Sequence, residues 1–220
     1  ESCRENALLP SVPISDRHGA MKQLPAPFAI IVLTLTFSYL AAADPAPATS
    51  TTDFASGTLP EAWAGLKGEW KVVDGALLGA ELESDKHAAV FSIPDPHQDS
   101  TISFRFRLDG AKGFHLSYNH AKGHLFRVTV GAGVVSLAMD KDKKDPASKA
   151  VPLGKEDFVP KAGEWYTMTC SVEGDTAKVT CGDLTLTGTH AGLVKEKTGY
   201  RLVVQGASVA FDDVTFSSKP

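Results

Sequence analysis

Four consecutive segments between Ser100 and Met139 alternate apolar and polar residues, separated by glycine or small polar residues. Because strand side chains point to opposite faces in turn, each segment predicts a strand with one apolar face. The apolar residues are Ile102, Phe104, Phe106 and Leu108, then Phe114, Leu116 and Tyr118, then Phe126, Val128 and Val130, then Val135, Leu137 and Met139. The pattern predicts one antiparallel meander with a core face and a polar face.

The polar face of this meander is the candidate ligand surface. It carries Arg105, Arg107, His115, Ser117, Asn119 and Arg127, from three consecutive strands. Because neighbouring strands lie about 4.8 Å apart, we expect these side chains to form one patch. Arginine forks and the mixed donors and acceptors of His and Asn suit sugar hydroxyl or carboxylate oxygens. The alternative is an ordinary solvated face, with the arginines paired to loop acids such as Asp140 or Asp142.

The length and net charge of the chain limit the number of domains and the classes of partner. The chain has 220 residues, enough for one domain with a substantial core. Its formal charge of −4 is not that of a nucleic-acid-binding protein, which usually carries a concentrated basic surface, so no nucleic acid partner is expected. Helical periodicity is nearly absent after residue 53 and short alternating runs recur, which predicts an all-β domain.

The N-terminal quarter of the chain predicts export. Residues 21–43 begin with Met-Lys, continue with an apolar run and end in three alanines, which is typical of a secretory signal peptide. The apolar run is shorter than the roughly 20 residues of a spanning helix, so no membrane span is expected after cleavage. Residues 1–20 are interpreted as an over-extended upstream segment. Residues 44–52, rich in Pro, Ala and Thr, predict a disordered leader to a domain at 53–218, secreted or periplasmic.

Turn signals divide the rest of the chain into short strands. Asp74-Gly75 and Gly174-Asp175 each separate two apolar runs and predict hairpins. Pro94 to Pro96 are expected to end a strand at 88–93, and the charged run at 140–149 predicts an exposed loop, with a charged ligand clamp as the alternative. The apolar parity changes near the end of the chain, which predicts a bulge at Asp212-Asp213. Roughly ten to twelve strands fit an antiparallel two-sheet sandwich or jelly roll.

Two cysteines remain once the segment with Cys3 is set aside. Cys170 and Cys181 are predicted on facing strands of one hairpin, on the same inward side. Exported proteins tend to oxidise an even pair where geometry permits. An opposite pair would lie close to disulfide geometry and a diagonal pair would not, so a disulfide and two buried thiols are both retained as hypotheses.

Acidic and histidine clusters suggest three further sites. Asp53 and the Asp212-Asp213 pair bracket the domain and would form a structural Ca²⁺ site if the first and last strands are adjacent. Glu81, Glu83 and Asp85 would share one face of an extended strand, as catalytic carboxylates require, with a solvated acidic turn as the alternative. The histidines at 87, 97, 115, 120 and 124 suggest zinc, although no acid stands at tight ligand spacing, and surface loop histidines are the simpler interpretation.

Several pieces of sequence, in their order, resemble one superfamily. They are Asp53-Phe54, GEWKVVDGALLG, STISFRFRL, AGEWYTMTCSVEGDTAKV and FDDVTF, spread over residues 53–217. Their order resembles the concanavalin A-like, laminin G-like sandwiches, and among them the 3-keto-disaccharide hydrolase-like domains of secreted bacterial proteins, which are related to family 16 glycoside hydrolases. The resemblance implies a jelly-roll sandwich with a carbohydrate-related role and glycans on the concave sheet face. It transfers no catalytic residue.

Three functional hypotheses follow from these observations. The leading one is a secreted, non-catalytic carbohydrate-binding sandwich. The second is a hydrolase or lyase acting on a (3-keto-)glycoside, which would require convergent carboxylates, or a His with a carboxylate, in a cleft. The third is a structural or adhesion module.

Overall fold

Two antiparallel sheets pack face to face in the computed structural model, which describes residues 48–219. The first sheet contains, in spatial order, β13 (Leu184–Thr189), β12 (Thr176–Cys181), β11 (Trp165–Glu173), β6 (Asp99–Leu108), β15 (Val209–Lys219), β4 (Ala76–Ala80) and β3 (Glu69–Val73), and β1 (Ala48–Thr52) also pairs with β15. The second contains β10 (Val151–Asp157), β9 (Val134–Met139), β8 (Gly123–Gly131), β7 (Ala111–His120), β14 (Lys197–Gly206), β5 (Ala89–His97) and β2 (Ala64–Lys67). The fold is an all-β jelly-roll sandwich.

Helical structure in the described range is limited to two short 3-10 turns, Glu83–Asp85 and Ala191–Val194. No helix within residues 48–219 has the length and apolar character needed to cross a bilayer.

The core lies between the two sheets, where the predicted apolar positions meet. Of the apolar residues predicted between 100 and 139, only Leu108 is partly exposed, and the others are buried. Phe114 on β7 packs against Phe106 on β6 and Phe211 on β15, with ring centroids 4.8 and 5.3 Å apart. Burying a side chain of this kind stabilises the fold by about 1.5–3 kcal/mol. The predicted alternation is confirmed.

The predicted four-stranded meander is wrong in one respect, because its first strand belongs to the other sheet. β6 pairs with β11 and β15, whereas β7, β8 and β9 form a true meander in the second sheet. The chain crosses between the sheets at Asp109-Gly110. Alternation cannot reveal this crossing, because strands of both sheets direct their apolar faces at the same core.

The two predicted hairpin turns and the predicted bulge are confirmed. Asp74 and Gly75 have φ of 50° and 73°, as a two-residue hairpin turn between β3 and β4 requires. The turn at Gly174-Asp175 joins β11 to β12. The pairing of β15 with β6 shifts register between Asp212 and Thr215, which confirms the bulge.

The predicted disordered leader is corrected at its C-terminal end. Residues 48–52 form β1, which pairs with positions 214–218 of β15. β4 pairs only with positions 209–211 of β15, so the strand edge beyond the bulge is free to accept another strand. Serine and three threonines suit that edge. The predictions for residues 1–20, 21–43 and 44–47 lie outside the described residues.

The predicted chain break at Pro94 to Pro96 is also corrected. β5 continues through both prolines to His97. Its outer neighbour β2 pairs only with positions 90–92, so the later part of β5 has a free edge on that side. Proline is tolerated at a free strand edge, because no neighbouring strand there requires the backbone N–H that proline lacks.

Candidate functional site

The predicted polar patch divides between the two outer faces of the sandwich. Arg105 and Arg107 lie on β6 and face outward from the first sheet, whereas the other four predicted residues, His115, Ser117, Asn119 and Arg127, lie on β7 and β8 of the second sheet. The expectation of a single patch is therefore wrong. The cause is the crossing at Asp109-Gly110, which sends consecutive strands to opposite sheets.

The arginines of the first sheet have local partners. Arg107 donates to Asp109 from Nε at 2.9 Å and from Nη2 at 2.8 Å, and Arg105 Nη1 lies 3.4 and 3.2 Å from the Asp212 and Asp213 carboxylates. Both guanidinium groups also stack on the Trp165 ring, at 4.7 and 4.9 Å from its centroid. These contacts fit the solvated-face alternative, with different acids from those expected.

A row of hydroxyl side chains also crosses this outer face. One row in register across six strands consists of Thr185, Thr180, Thr169, Ser103, Thr215 and Thr51.

A different arrangement occurs on the outer face of the second sheet. Arg201 on β14 pairs in register with Ser117 on β7, and Ser117 pairs with Arg127 on β8. Strand spacing therefore places a hydroxyl between two guanidinium-bearing residues. His115 and Asn119 flank Ser117 on the same face of β7, and all three are at most 8% exposed although they point away from the core.

A bulge in β8 brings a histidine to this face. Tyr118 pairs with Phe126 and Asn119 pairs with His124, so β8 has one residue more, Leu125, between these pairs. The extra residue reverses side-chain parity, and His124 consequently points outward. Its Nδ1 lies 2.5 Å from Ser117 Oγ and shares a hydrogen bond with it.

Two cavities of about 190 and 380 Å³ open on this face, and a third of about 440 Å³ adjoins the smaller one beside the 3-10 turn at Ala191–Val194. His124 lines all three, and two of them share Arg127, Lys143 and Arg201. We call the combined cleft the basic groove and define it by His115, His124, Arg127, Lys143 and Arg201. Of the three outward-facing side chains of β7 named above, His115 lines this groove.

The irregular segment at 140–149 forms one wall of the basic groove. Arg127 Nε donates to Asp140 Oδ2 at 3.0 Å, and the Arg127 Nη2 atom also bonds this carboxylate. Within the segment, the Asp142 N–H donates to Ser148 Oγ at 2.9 Å. The solvated-face alternative predicted a loop acid as the partner of Arg127, and this pairing is confirmed with Asp140. It fixes the start of this loop beside the sheet.

The histidines of the groove are held neutral. Burial, with the nearby charges of Arg127 and His124, lowers the pKa of His115 to about 4. Burial likewise lowers the pKa of His124, and that of His120 at the rim. At neutral pH these rings therefore present one donor and one acceptor nitrogen each, as sugar hydroxyls require. The buried Asn119 Oδ1 has no hydrogen-bond partner within the described part of the chain.

The three acids of the calcium hypothesis, Asp53, Asp212 and Asp213, each have a hydrogen-bond partner within the protein. β1 and β15 do pair, so the domain ends are adjacent as expected. However, Asp212 and Asp213 bond Arg105, and Asp53 Oδ1 accepts the Ala55 N–H at 3.1 Å. Residues 48–219 contain no group of three or more His, Cys, Asp or Glu suited to a metal ion. A Ca²⁺ site stays a prediction, which thermal melting with EDTA and with added Ca²⁺ would test.

The acidic run at 81–85 does not form the extended strand that a catalytic pair would need. Residues 83–85 form a 3-10 turn, and Asp85 Oδ2 accepts the Gly68 N–H at 2.6 Å. The solvated acidic turn is the correct interpretation of the fold here, and Asp85 has a structural contact.

The cysteines are free thiols in a diagonal arrangement. Cys170 pairs in register with Val179, and Cys181 pairs with Met168, so the cysteines are offset by two residues. The two-residue turn sets this register. Burial raises the pKa of both thiols to about 12.

Two residues of the basic groove, Arg201 and His124, are not predicted as ligand-binding residues by the sequence. Arg201 belongs to a recognised strand, but nothing local shows that β14 lies beside β7. The Lys-Gly turn before His124 favours a loop position, and no local signal reveals the bulge at Leu125 that directs its side chain outward. The histidine cluster noted in the sequence was the available signal for both His115 and His124.

Comparison with known proteins supports the fold. No protein-family model and no curated protein match the sequence. Among solved structures, carbohydrate binding module CBM66 from Bacillus subtilis has a TM-score of 0.58 at 16% identity, covering 71% of this chain and 95% of that chain. The CBM2 module of Lactobacillus casei BL23 phage J-1 evolved Dit has a TM-score of 0.56 at 14% identity, covering 79% and 97%.

A Bacillus subtilis protein of unknown function with a galectin-like fold gives a TM-score of 0.59 at 10% identity, covering 80% of this chain and 99% of that chain. At these identities the likeness establishes the architecture alone. The chain therefore shares the jelly-roll sandwich of carbohydrate-binding modules and galectin-like proteins.

Proposed function

We propose that this protein is an exported carbohydrate-binding sandwich that holds a glycan in the basic groove. The observation that carries the proposal is the cleft on the outer face of the second sheet, where His115, His124 and Arg201 line one cavity. Polar side chains converging in a cleft are the usual equipment of a small-ligand site. The shared fold with carbohydrate-binding modules supports the same function.

The chemistry of the groove suits sugar hydroxyls. Neutral His115 supplies a donor and an acceptor, and Arg201 supplies a fork of donors. A bound sugar would satisfy these groups at once. Leaving one of them unpaired in the complex would cost about 1–3 kcal/mol, which is how such a site selects its ligand.

Export is the second part of the proposal. It is supported by the signal-peptide pattern at residues 21–43. Mass spectrometry of exported material should find an N-terminus close to Asp44. Material that still begins at Glu1 would contradict it.

Glycan-array binding with variants on the two outer faces tests the groove. Arg201→Ala and His115→Ala should each weaken binding at least about tenfold, because each removes hydrogen bonds to the sugar. Arg105→Ala is the matched control, since Arg105 lies on the outer face of the first sheet. It should bind as the parent does, and melting transitions should show that all three variants fold.

The opposite pattern would place the site elsewhere. If Arg105→Ala abolishes binding and both groove variants bind normally, the first sheet carries the ligand. If the parent binds no glycan on the array, the carbohydrate-binding proposal fails and the structural or adhesion hypothesis takes its place.

A hydrolase or lyase acting on a (3-keto-)glycoside is the second candidate. It is favoured by the contact of His124 with Ser117 and by the presence of Asp140 in the same cleft, since proton transfer needs such groups close together. Arg127 engages the Asp140 carboxylate, which makes that acid a weak general base. Chromatography of glycans incubated with the protein would reveal turnover, and turnover lost in His124→Ala would favour this candidate.

A further inference from the structure

The basic groove has a charge opposite to that of the whole chain. Five lysines and two arginines line its three cavities, against the two carboxylates of Asp140 and Asp142. The chain as a whole carries a formal charge of −4. A cleft lined by one sign of charge concentrates that field and attracts ions of the other sign. The net charge therefore conceals a local surface suited to anions.

The two arginines of the groove differ in their partners. Arg127 is neutralised by Asp140 through two hydrogen bonds, so little of its charge is left for a ligand. Arg201 lies two strands away in the same row and, within residues 48–219, forms no ion pair. It lines two of the three cavities and is partly exposed. Arg201 therefore provides the free planar fork that matches a carboxylate or sulfate.

The apolar side chains that line the basic groove also bear on the kind of ligand it can bind. The described residues that line its three cavities include no Phe, Tyr or Trp. Aromatic rings supply large rigid contact area at low entropic cost, and a site for neutral sugar rings gains most from them. Without such a ring, binding in the groove must depend on charge and hydrogen bonds.

We propose that the basic groove selects glycans bearing carboxylate or sulfate groups, and that Arg201 binds the anionic group. This inference rests on the proposed function. The shared ligand chemistry is a planar or tetrahedral oxyanion on a sugar, from either a uronic acid or a sulfate ester. Neighbouring Lys143, which lines the same two cavities, adds a second positive charge beside it.

Titration calorimetry with paired probes tests the inference. Oligogalacturonate and its methyl ester report on carboxylates, while a sulfated carrageenan oligosaccharide and its desulfated form report on sulfates. The charged member of at least one pair should bind at least about ten- to hundredfold more tightly, the value of one or two charge-assisted hydrogen bonds. Which pair shows the difference identifies the source of the oxyanion.

Variants at one position separate charge from geometry. Arg201→Gln should lose the preference for the charged probe, and Arg201→Lys should keep part of it, since lysine retains the charge without the fork. Arg105→Gln on the opposite outer face should leave the preference unchanged. Melting transitions confirm that each variant folds, and the surviving affinity of Arg201→Lys distinguishes a lost contact from a lost fold.

The outcomes separate this inference from the proposed function. If the array finds only neutral glycans and Arg201→Gln weakens them, the groove binds sugar but the charge selection is wrong. If no glycan binds, or groove variants bind as the parent does, the proposed function fails and the inference fails with it. A single-stranded oligonucleotide that binds as tightly as the best charged glycan would overturn selection for sugars, because it would show that any polyanion suffices.

Discussion

At the scale of single residues, His115 links the groove to stability. Its folded pKa of about 4 lies below the ordinary value of 6.5, so the unfolded chain binds more protons between these pH values. Stability from this group is complete above pH 6.5 and is lost as the pH falls to 4. The loss is on the order of 3 kcal/mol.

Urea unfolding at pH 7 and pH 4.5 measures this effect. The free energy of unfolding of the parent should fall between the two pH values by more than that of His115→Gln, which cannot titrate. The pKa of His124 is also lowered. The stability of the His115→Gln variant should therefore still decrease somewhat between pH 7 and pH 4.5. Equal slopes in parent and variant would show that His115 is not buried as a neutral ring.

The cysteines give a second prediction at this scale. Diagonal pairs leave Cβ atoms up to about 7–8 Å apart, against about 3.8 Å in a disulfide. Cys170 and Cys181 should therefore both be thiols, and their burial and raised pKa values should protect them from alkylation until the protein unfolds. Peptide mapping after labelling with and without denaturant measures this, and a Cys170 to Cys181 linked peptide would contradict it.

At the scale of elements, Asp85 joins a 3-10 turn to the crossing between β2 and β3. Its carboxylate accepts the N–H of Gly68, a residue with φ of 74° whose Cβ position would lie 2.3 Å from Ala89 Cβ. Only glycine fits there. The position of the Gly68 N–H is therefore fixed. The Asp85 side chain supplies its hydrogen-bond acceptor.

Substitution of Asp85 should separate hydrogen bonding from charge. Asp85→Ala should lower the free energy of unfolding by about 1–2 kcal/mol, because the Gly68 N–H loses its acceptor. Asp85→Asn keeps an oxygen acceptor and should cost less. If the two variants are equally stable in urea unfolding, the contact contributes nothing. Neither variant should change glycan binding, since Asp85 does not line the basic groove.

At the scale of the whole molecule, β1 closes the first sheet beyond the bulge of β15. A chain starting at Asp44 retains β1, and a chain starting at Asp53 lacks it and exposes the edge at 214–218. The shorter chain should melt at a lower temperature, by about 2–4 °C for each kcal/mol of lost pairing, and should aggregate more readily. Identical melting would support the original interpretation of residues 44–52 as a leader without structure.

Local signals were sufficient for much of the fold. Alternation identified the core-facing residues of β6 to β9, Asp74-Gly75 identified a hairpin, and a parity change identified the bulge of β15. Each of these features depends on residues close in sequence, since face polarity and turn geometry are properties of a few consecutive peptide units. The sequence alone therefore determined the all-β class, the apolar faces and the short turns.

The candidate site depended on pairings that no local signal contains. β7 lies beside β14, more than 70 residues later in the chain, and this pairing brings Arg201 next to Ser117. β6 joins the opposite sheet, which removes Arg105 from the patch. Inner faces of both sheets look alike in sequence because they bury the same kind of surface in one core. Only the tertiary structure could decide which sheet each strand joined, and hence which polar residues share a groove.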